Sequence, residues 1–347
     1  MRSRRDVLYG LGALGASIFV DRVNAASARS AIDFELPPDA CDCHVHVFDP
    51  VRFPYTAKRV YTPPQALIPD LLELHKTLRM DRVVIVQPSV YGADNSCTLD
   101  AVRRLGGRAR GVAVIDKDTS RGQIDEMAAA GVRGIRLNLN TTPNGEVDAD
   151  GSKRTLDQAA RQIQGRGWHI QFYTRPHVIA ALKSHIEQLP FPVVFDHFGA
   201  PKAAEGPSQH GFDALLDLVK SGHAYVKISG AYRVSSKAPD YPDVAPLAQA
   251  LVAANSDRIL WGSDWPHPDS STAHGRALTE ISPPFAVDDG LLLNQLPKWT
   301  ADAAIRQKIL ADNAARLYDF PDSDSILTGS VRPPGSIELP SAAWPAR

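Results

Sequence analysis

Cysteine is scarce in this chain: Cys41, Cys43 and Cys97 are the only three in 347 residues. That excludes a disulfide scaffold. Cys41 and Cys43 sit two apart on one strand-like run, a poor geometry for a mutual disulfide, so buried free thiols are expected. Charge of one sign is also missing. The formal net charge is −1, which leaves no broad basic field for nucleic acid. No apolar run of about 18 residues follows the N-terminus, so the body of the chain has no membrane span. No G-x-G-x-x-G follows a strand-like run, and no G-x-S-x-G nucleophile elbow occurs anywhere.

The N-terminus stands apart. "MRSRRDVLYGLGALGASIFVDRVNAASA" has a basic start, an apolar stretch from Val7 to Val20 and then small residues. This is the anatomy of a secretory signal, and Arg4–Arg5 resembles a twin-arginine export pair. Residues 1–26 are therefore expected to direct the protein to the periplasm or beyond, with cleavage near Ala25 or Ala26. If the segment is instead a plain N-terminal extension, the protein stays in the cytoplasm.

From residue 40 to 320, short β-rich runs alternate with helix-like stretches. The runs are "ACDCHVHVF" (40–48), "RVVIVQP" (82–88), "RGVAVID" (110–116), "RGIRLNL" (133–139), "WHIQFY" (168–173), "PVVFDHF" (192–198), "AYVKISG" (224–230) and "RILWGSDW" (258–265). Eight such βα units predict an α/β fold, a (β/α)8 TIM barrel spanning about 39–320. An open doubly wound sheet is the alternative, but its usual glycine-rich first turn is replaced here by a histidine-rich one. The proline-rich segment 49–70 and the segment 265–290 read as loops over the active-site face. Residues 321–347 are rich in Pro and Ser and read as a C-terminal extension.

Chemistry-bearing residues gather at strand ends, which in this fold converge on one face. Strict alternation puts Asp42, His44 and His46 on one side of the first strand and Cys41, Cys43, Val45 and Val47 on the other. The polar set is expected to point into the barrel and the second set toward the helices. Asp196 and His197 end the sixth run; Asp264 ends the eighth, with His267 just after it. Arg136 and Asn138, Gln171 and Tyr173, and Lys227 and Ser229 pair on the faces of runs four, five and seven. A lone strand histidine is usually a satisfied structural residue, and a lone aspartate before a loop is often a helix cap. Several strand ends carrying His or Asp in register favour a site.

"DCHVHVFDP", "VVFDHFGAP", "VKISGAYRVS", "RILWGSDWPHP" and "ILADNAARLYDF" together resemble the amidohydrolase superfamily, in its lactonase branch related to 2-pyrone-4,6-dicarboxylate hydrolase. The resemblance implies catalytic roles for His44, His46, His197 and Asp264, with Asp264 as general base. It implies that Arg136 and Arg233 hold substrate carboxylate, and that Ser89, Tyr61, Tyr173 and His267 contact substrate. Strand four offers Arg136 and strand five ends in Tyr173, where metal-dependent members place ligands. No cofactor is then required, although His44, His46 and Asp264 remain three ligands for one Zn²⁺ or Mn²⁺. Thr142 stands where dicarboxylate-specific members carry a further arginine.

The expected activity is hydrolysis of a small carboxylated lactone, resembling a pyrone carboxylate or muconolactone, by Asp-activated water. A sugar-acid lactone hydrolase or isomerase, and a metal-dependent decarboxylase, are the alternatives within the superfamily. A binding protein without turnover would use the arginines but leaves Asp264 among three histidines without a task. Nucleic acid and membrane are not expected partners; a homo-oligomer is left open.

Overall fold

The computed structural model describes residues 30–139, 149–270 and 277–321. The signal-like residues 1–26, Thr142 and the extension beyond Pro321 lie outside the described residues. Eight parallel strands run in sequence order: β1 Cys41–Val45, β2 Arg82–Val86, β3 Ala109–Ala113, β4 Val132–Asn138, β5 His169–Tyr173, β6 Val193–Phe195, β7 Ala224–Ser229 and β8 Ile259–Gly262. Each expected β run overlaps one of them, with β3 and β4 starting one residue earlier than expected. Helices between strands, such as α1 Ile68–Leu78, α2 Ser96–Leu105 and α3 Arg121–Ala129, form the outer layer. Their apolar faces meet Val83, Ile85, Ile135, Ile170, Val193 and Ile228 from the outward side of the strands.

The seam between β1 and β8 closes the barrel at the level of the site. Asp264 N–H donates to His44 C=O at 2.8 Å, and His46 N–H donates to Trp265 C=O at 2.8 Å. The open doubly wound alternative is thereby replaced by a barrel. Gly262 permits the close approach: a Cβ there would lie 2.8 Å from His44 Cβ and 2.9 Å from His44 N.

The expected face assignment of β1 is overturned. Pairing with β2 advances from Asp42↔Val83 to Val45↔Ile85, so β1 carries one residue more than its partner across this stretch. Such a bulge resets the alternation of faces. Cys41 and Cys43 therefore pack inside the barrel with Val84, Val86, Val112, Val194, Tyr225 and Leu260. Val45 joins the core beneath the helices, while His44 and His46 still reach the site. Tyr318 and Phe320 join the inner cluster from beyond the last strand. Arg82 and Arg110 hold this segment through the Pro321, Tyr318 and Asp319 carbonyls.

Asp42, turned toward α1 rather than into the barrel, braces the seam. It accepts from Ser263 N at 2.9 Å, from Ser263 Oγ at 2.5 Å and from His44 N at 3.2 Å. His75 Nε2 of α1 lies 3.4 Å from the same carboxylate. It thus positions the backbone of His44 and not an imidazole of the site. Asp42→Ala would leave the Ser263 donors buried and unpaired, and is expected to cost about 2–4 kcal/mol in a urea titration. A loss under about 0.5 kcal/mol, the range of neutral surface changes, would contradict this bracing role.

Candidate active site

His44 and His46 leave β1 at its C-terminal end, His197 follows β6 and Asp264 follows β8. All four are buried. His197 and Asp264 adopt left-handed backbone, with φ of 50° and 64°, a conformation that non-glycine residues hold only when surrounding structure imposes it. Gly230 at the end of β7 lets them close in. A Cβ there would sit 3.0 Å from His197 Nδ1 and 3.1 Å from Asp264 Oδ2.

The two oxygens of Asp264 differ. Oδ2 accepts from Tyr232 OH at 2.6 Å and from Arg233 Nε. Oδ1 has no hydrogen-bond partner among the described residues. It faces His44 Nε2 at 3.7 Å and His46 Nε2 at 3.8 Å. Burial alone would raise the Asp264 carboxyl, but the Arg233 guanidinium in contact with it holds it well below the usual carboxylate range. His46 Nδ1 donates to the Val86 carbonyl at 2.8 Å, which places the ring proton on Nδ1 and turns the Nε2 lone pair toward Asp264. Burial depresses the imidazoles: His46 to about 3 and His197 to about 4, with His44 also well below its usual value. His197 Nδ1 pairs with Ser229 Oγ at 2.9 Å, and its Nε2 lies 3.8 Å from Asp264 Oδ2.

His44, His46 and Asp264 meet the distance requirement for holding one metal ion. The chemistry of the set agrees. His44 Nε2 and Asp264 Oδ1 are both buried without a partner among the described residues, and two imidazole nitrogens converging with a carboxylate oxygen fit a cation.

Beneath lies a second charged layer. Asp196 Oδ2 accepts from Arg136 Nε and Nη2 at 3.1 and 3.0 Å, and its Oδ1 accepts from Gln171 Nε2 at 2.8 Å. Lys227 Nζ donates to Gln171 Oε1 at 2.7 Å. Burial pushes Lys227 down to about 8 against the opposing pull of Asp196. Burial would raise Asp196, but its neighbours His44, Arg136 and Lys227 override that and hold its carboxyl well below the usual range.

Above the histidines opens a small cavity walled by His46, His197, Arg136, Arg233, Tyr173, Tyr61 and Ser89, together with Pro88, Asn138, Pro268 and Ser270. Tyr61 bonds Ser89, and burial pushes its hydroxyl up to about 12, so it stays protonated. The two segments read as loops over the site are joined here: Ser282 N–H donates to Thr62 C=O at 2.8 Å.

Most of the expected site residues thus come together, with two refinements. Arg136 and Arg233 line the cavity while already donating to Asp196 and Asp264. His267, expected to contact substrate, is turned away from the cavity: its Nε2 pairs with buried Asp289 at 3.0 Å, and its ring meets Tyr232 edge to face. Tyr232, the donor to Asp264, was not anticipated from sequence. Its only signal was its place beside Arg233 in "GAYRVS".

Comparison with known proteins follows the same lines. A family model described as amidohydrolase matches residues 41–320. The chain belongs to the amidohydrolase family. This amidohydrolase is 38% identical over 294 residues to the 4-sulfomuconolactone hydrolase of Rhizobium radiobacter, a match spanning 84% of this chain and 94% of that one. It is 35% identical over 300 residues to a 2-pyrone-4,6-dicarboxylate hydrolase of Comamonas testosteroni, spanning 82% and 92%. Among solved structures, an apo crystal structure from Agrobacterium tumefaciens matches with a TM-score of 0.68 at 26% identity, covering 85% of this chain and 99% of that one.

The buried histidines make stability depend on pH. Folded His46 and His169 take up protons near 3 and His197 near 4, whereas unfolded histidine does so near about 6.5. The unfolded chain therefore binds more protons between these values. Stability is full above about pH 6.5 and falls as pH drops toward 4. Urea midpoints measured at about pH 7.5 and about pH 4.5 should differ, the acidic one being lower; equal midpoints would contradict neutral buried imidazoles.

Proposed function

We propose that this amidohydrolase opens a small carboxylated lactone by attack of water on the ring ester. The observation that carries the reading is Asp264 Oδ1, a buried acceptor without a partner among the described residues, which lies behind His46, His197 and Arg233 where these line a cavity together with Arg136. Water bound there gives a proton to Asp264 Oδ1 as its oxygen bonds to the lactone carbonyl carbon. The ester C–O bond then breaks, and the proton passes from Asp264 to the departing ring oxygen, leaving a hydroxy acid. Tyr232 and Arg233 occupy Oδ2, so Oδ1 is the oxygen aimed at water.

Arg136 and Arg233 present guanidinium edges to an anionic substituent, and planar forks of this kind match a carboxylate. Tyr61, Ser89 and Tyr173 add hydroxyls along the wall, which fix the ring so that its carbonyl stands over the base. His197 faces the carbonyl, and with its Nδ1 accepting from Ser229 Oγ its Nε2–H can donate to the carbonyl oxygen as that oxygen gains charge. Two relatives named for hydrolysis of anionic lactones support the substrate class.

His44 Nε2, His46 Nε2 and Asp264 Oδ1 would hold one divalent cation, Zn²⁺ or Mn²⁺. Bound there, it supplies Lewis-acid polarisation of the carbonyl and a lower water pKa.

Asp264→Asn keeps the shape and removes the base. The variant is expected to lose about 10²–10⁴-fold in kcat on whichever carboxylated lactone the wild type prefers, with KM little changed. Turnover within about tenfold of wild type would remove Asp264 from the base role.

A further inference from the structure

The fully buried lysine of β7 has no part in the chemistry above, yet it sits under the site. Lys227 Nζ lies 3.5 Å from His44 Nδ1, and Asp196 Oδ1 lies 3.2 Å from the same nitrogen. These two neighbours make opposite demands. An ammonium only donates, and would take Nδ1 as its acceptor, moving the ring proton to Nε2. A carboxylate only accepts, and would keep the proton on Nδ1.

The surrounding bonds decide between them. Lys227 is drawn to Gln171 Oε1, the shorter contact at 2.7 Å. That bond fixes the Gln171 amide with its Nε2 toward Asp196 Oδ1 at 2.8 Å. Arg136 grips the other carboxylate oxygen with two N–H groups. Asp196 is thus held from both sides, with Oδ1 beside His44 Nδ1. Without Lys227 the Gln171 carbonyl loses its donor. The amide is then free to rotate and aim an acceptor at Asp196, pushing the carboxylate off the imidazole.

We propose that Lys227 is a positioning residue, acting through Gln171 and Asp196 to lock His44 as its Nδ1–H tautomer with the Nε2 lone pair facing Asp264. The proposal rests on the proposed function only for the use made of that lone pair, which would be to hold the cation. Orientation of an active imidazole by a carboxylate behind it is a general device; here a buried lysine and an amide aim the carboxylate.

The test is the histidine-ring ¹H–¹⁵N correlation spectrum of ¹⁵N-histidine-labelled full-length protein, with His44 assigned by its loss in His44→Gln. The wild-type spectrum is expected to show His44 protonated at Nδ1. Protonation at Nε2 overturns the proposal, whatever any variant does. In folded Lys227→Met, His44 is expected to move to the Nε2–H form or to a mixture, and kcat to fall about ten- to a hundredfold with KM unchanged. An unaltered Nδ1–H signal in that variant also overturns the proposal. The spectrum needs no substrate. A wild type inert toward lactones but carrying Nδ1–H His44 would therefore sink the hydrolytic reading and spare this one.

Discussion

His44 and Asp264 meet through their backbones across the line where the barrel closes, Asp264 N–H donating to His44 C=O. Everything chemical in the structure hangs on that closure. It brings the first strand against the loop leaving the eighth, and so sets His44 and His46 opposite a carboxylate 220 residues later in the chain (264 − 44). Gly262 admits the approach by lacking a side chain, and Asp42 braces it by bridging Ser263 to the His44 amide. A carboxylate and two imidazoles held by a closed sheet are placed more rigidly than the same groups on loops, which is the condition for a preorganised site.

Electrostatics builds on this frame in two tiers. Each of the two buried carboxylates at the site has an arginine: Arg136 on Asp196 and Arg233 on Asp264. An isolated charge in a dry barrel is costly, and pairing with several hydrogen bonds is what makes it tolerable. The tiers differ in what they leave over. Asp196 has both oxygens engaged by described donors, whereas Asp264 keeps one oxygen without a partner. The fully satisfied tier is structural; the unsatisfied one adjoins the cavity-lining His46, His197 and Arg233 and is where a proton or a cation gains most.

Much of this was legible in the sequence because barrel strands announce themselves by short apolar runs, and because active residues cluster at their C-terminal ends. His44, His46, His197, Asp264, Arg136 and Tyr173 are found that way, while Arg233, Tyr61 and Ser89 come only from the family resemblance; the structure brings His46, His197, Arg136, Tyr173, Arg233, Tyr61 and Ser89 to one cavity. The facing of Asp42, Cys41 and Cys43 was not legible. A bulge changes the period locally without leaving a mark in composition, and a single shift sends every following side chain to the other side. His267 was misplaced for a related reason: its partner, Asp289, lies beyond the loop, and nothing in "WGSDWPHP" distinguishes a cavity-facing histidine from one paired behind it. Tyr232 and the Lys227–Gln171–Asp196 chain are contacts between strands and loops distant in sequence, which pattern reading does not pair.

The account stands most directly on the product formed from a carboxylated lactone. Wild-type protein should be incubated with a panel of muconolactones, pyrone carboxylates and aldonolactones in ¹⁸O-enriched water, and the products weighed by mass spectrometry. Addition of one water, with the label in the new carboxyl group of a ring-opened hydroxy acid or its keto form, is the outcome the site geometry predicts. A rearranged lactone of unchanged mass, loss of carbon dioxide, or no turnover across the panel would contradict it.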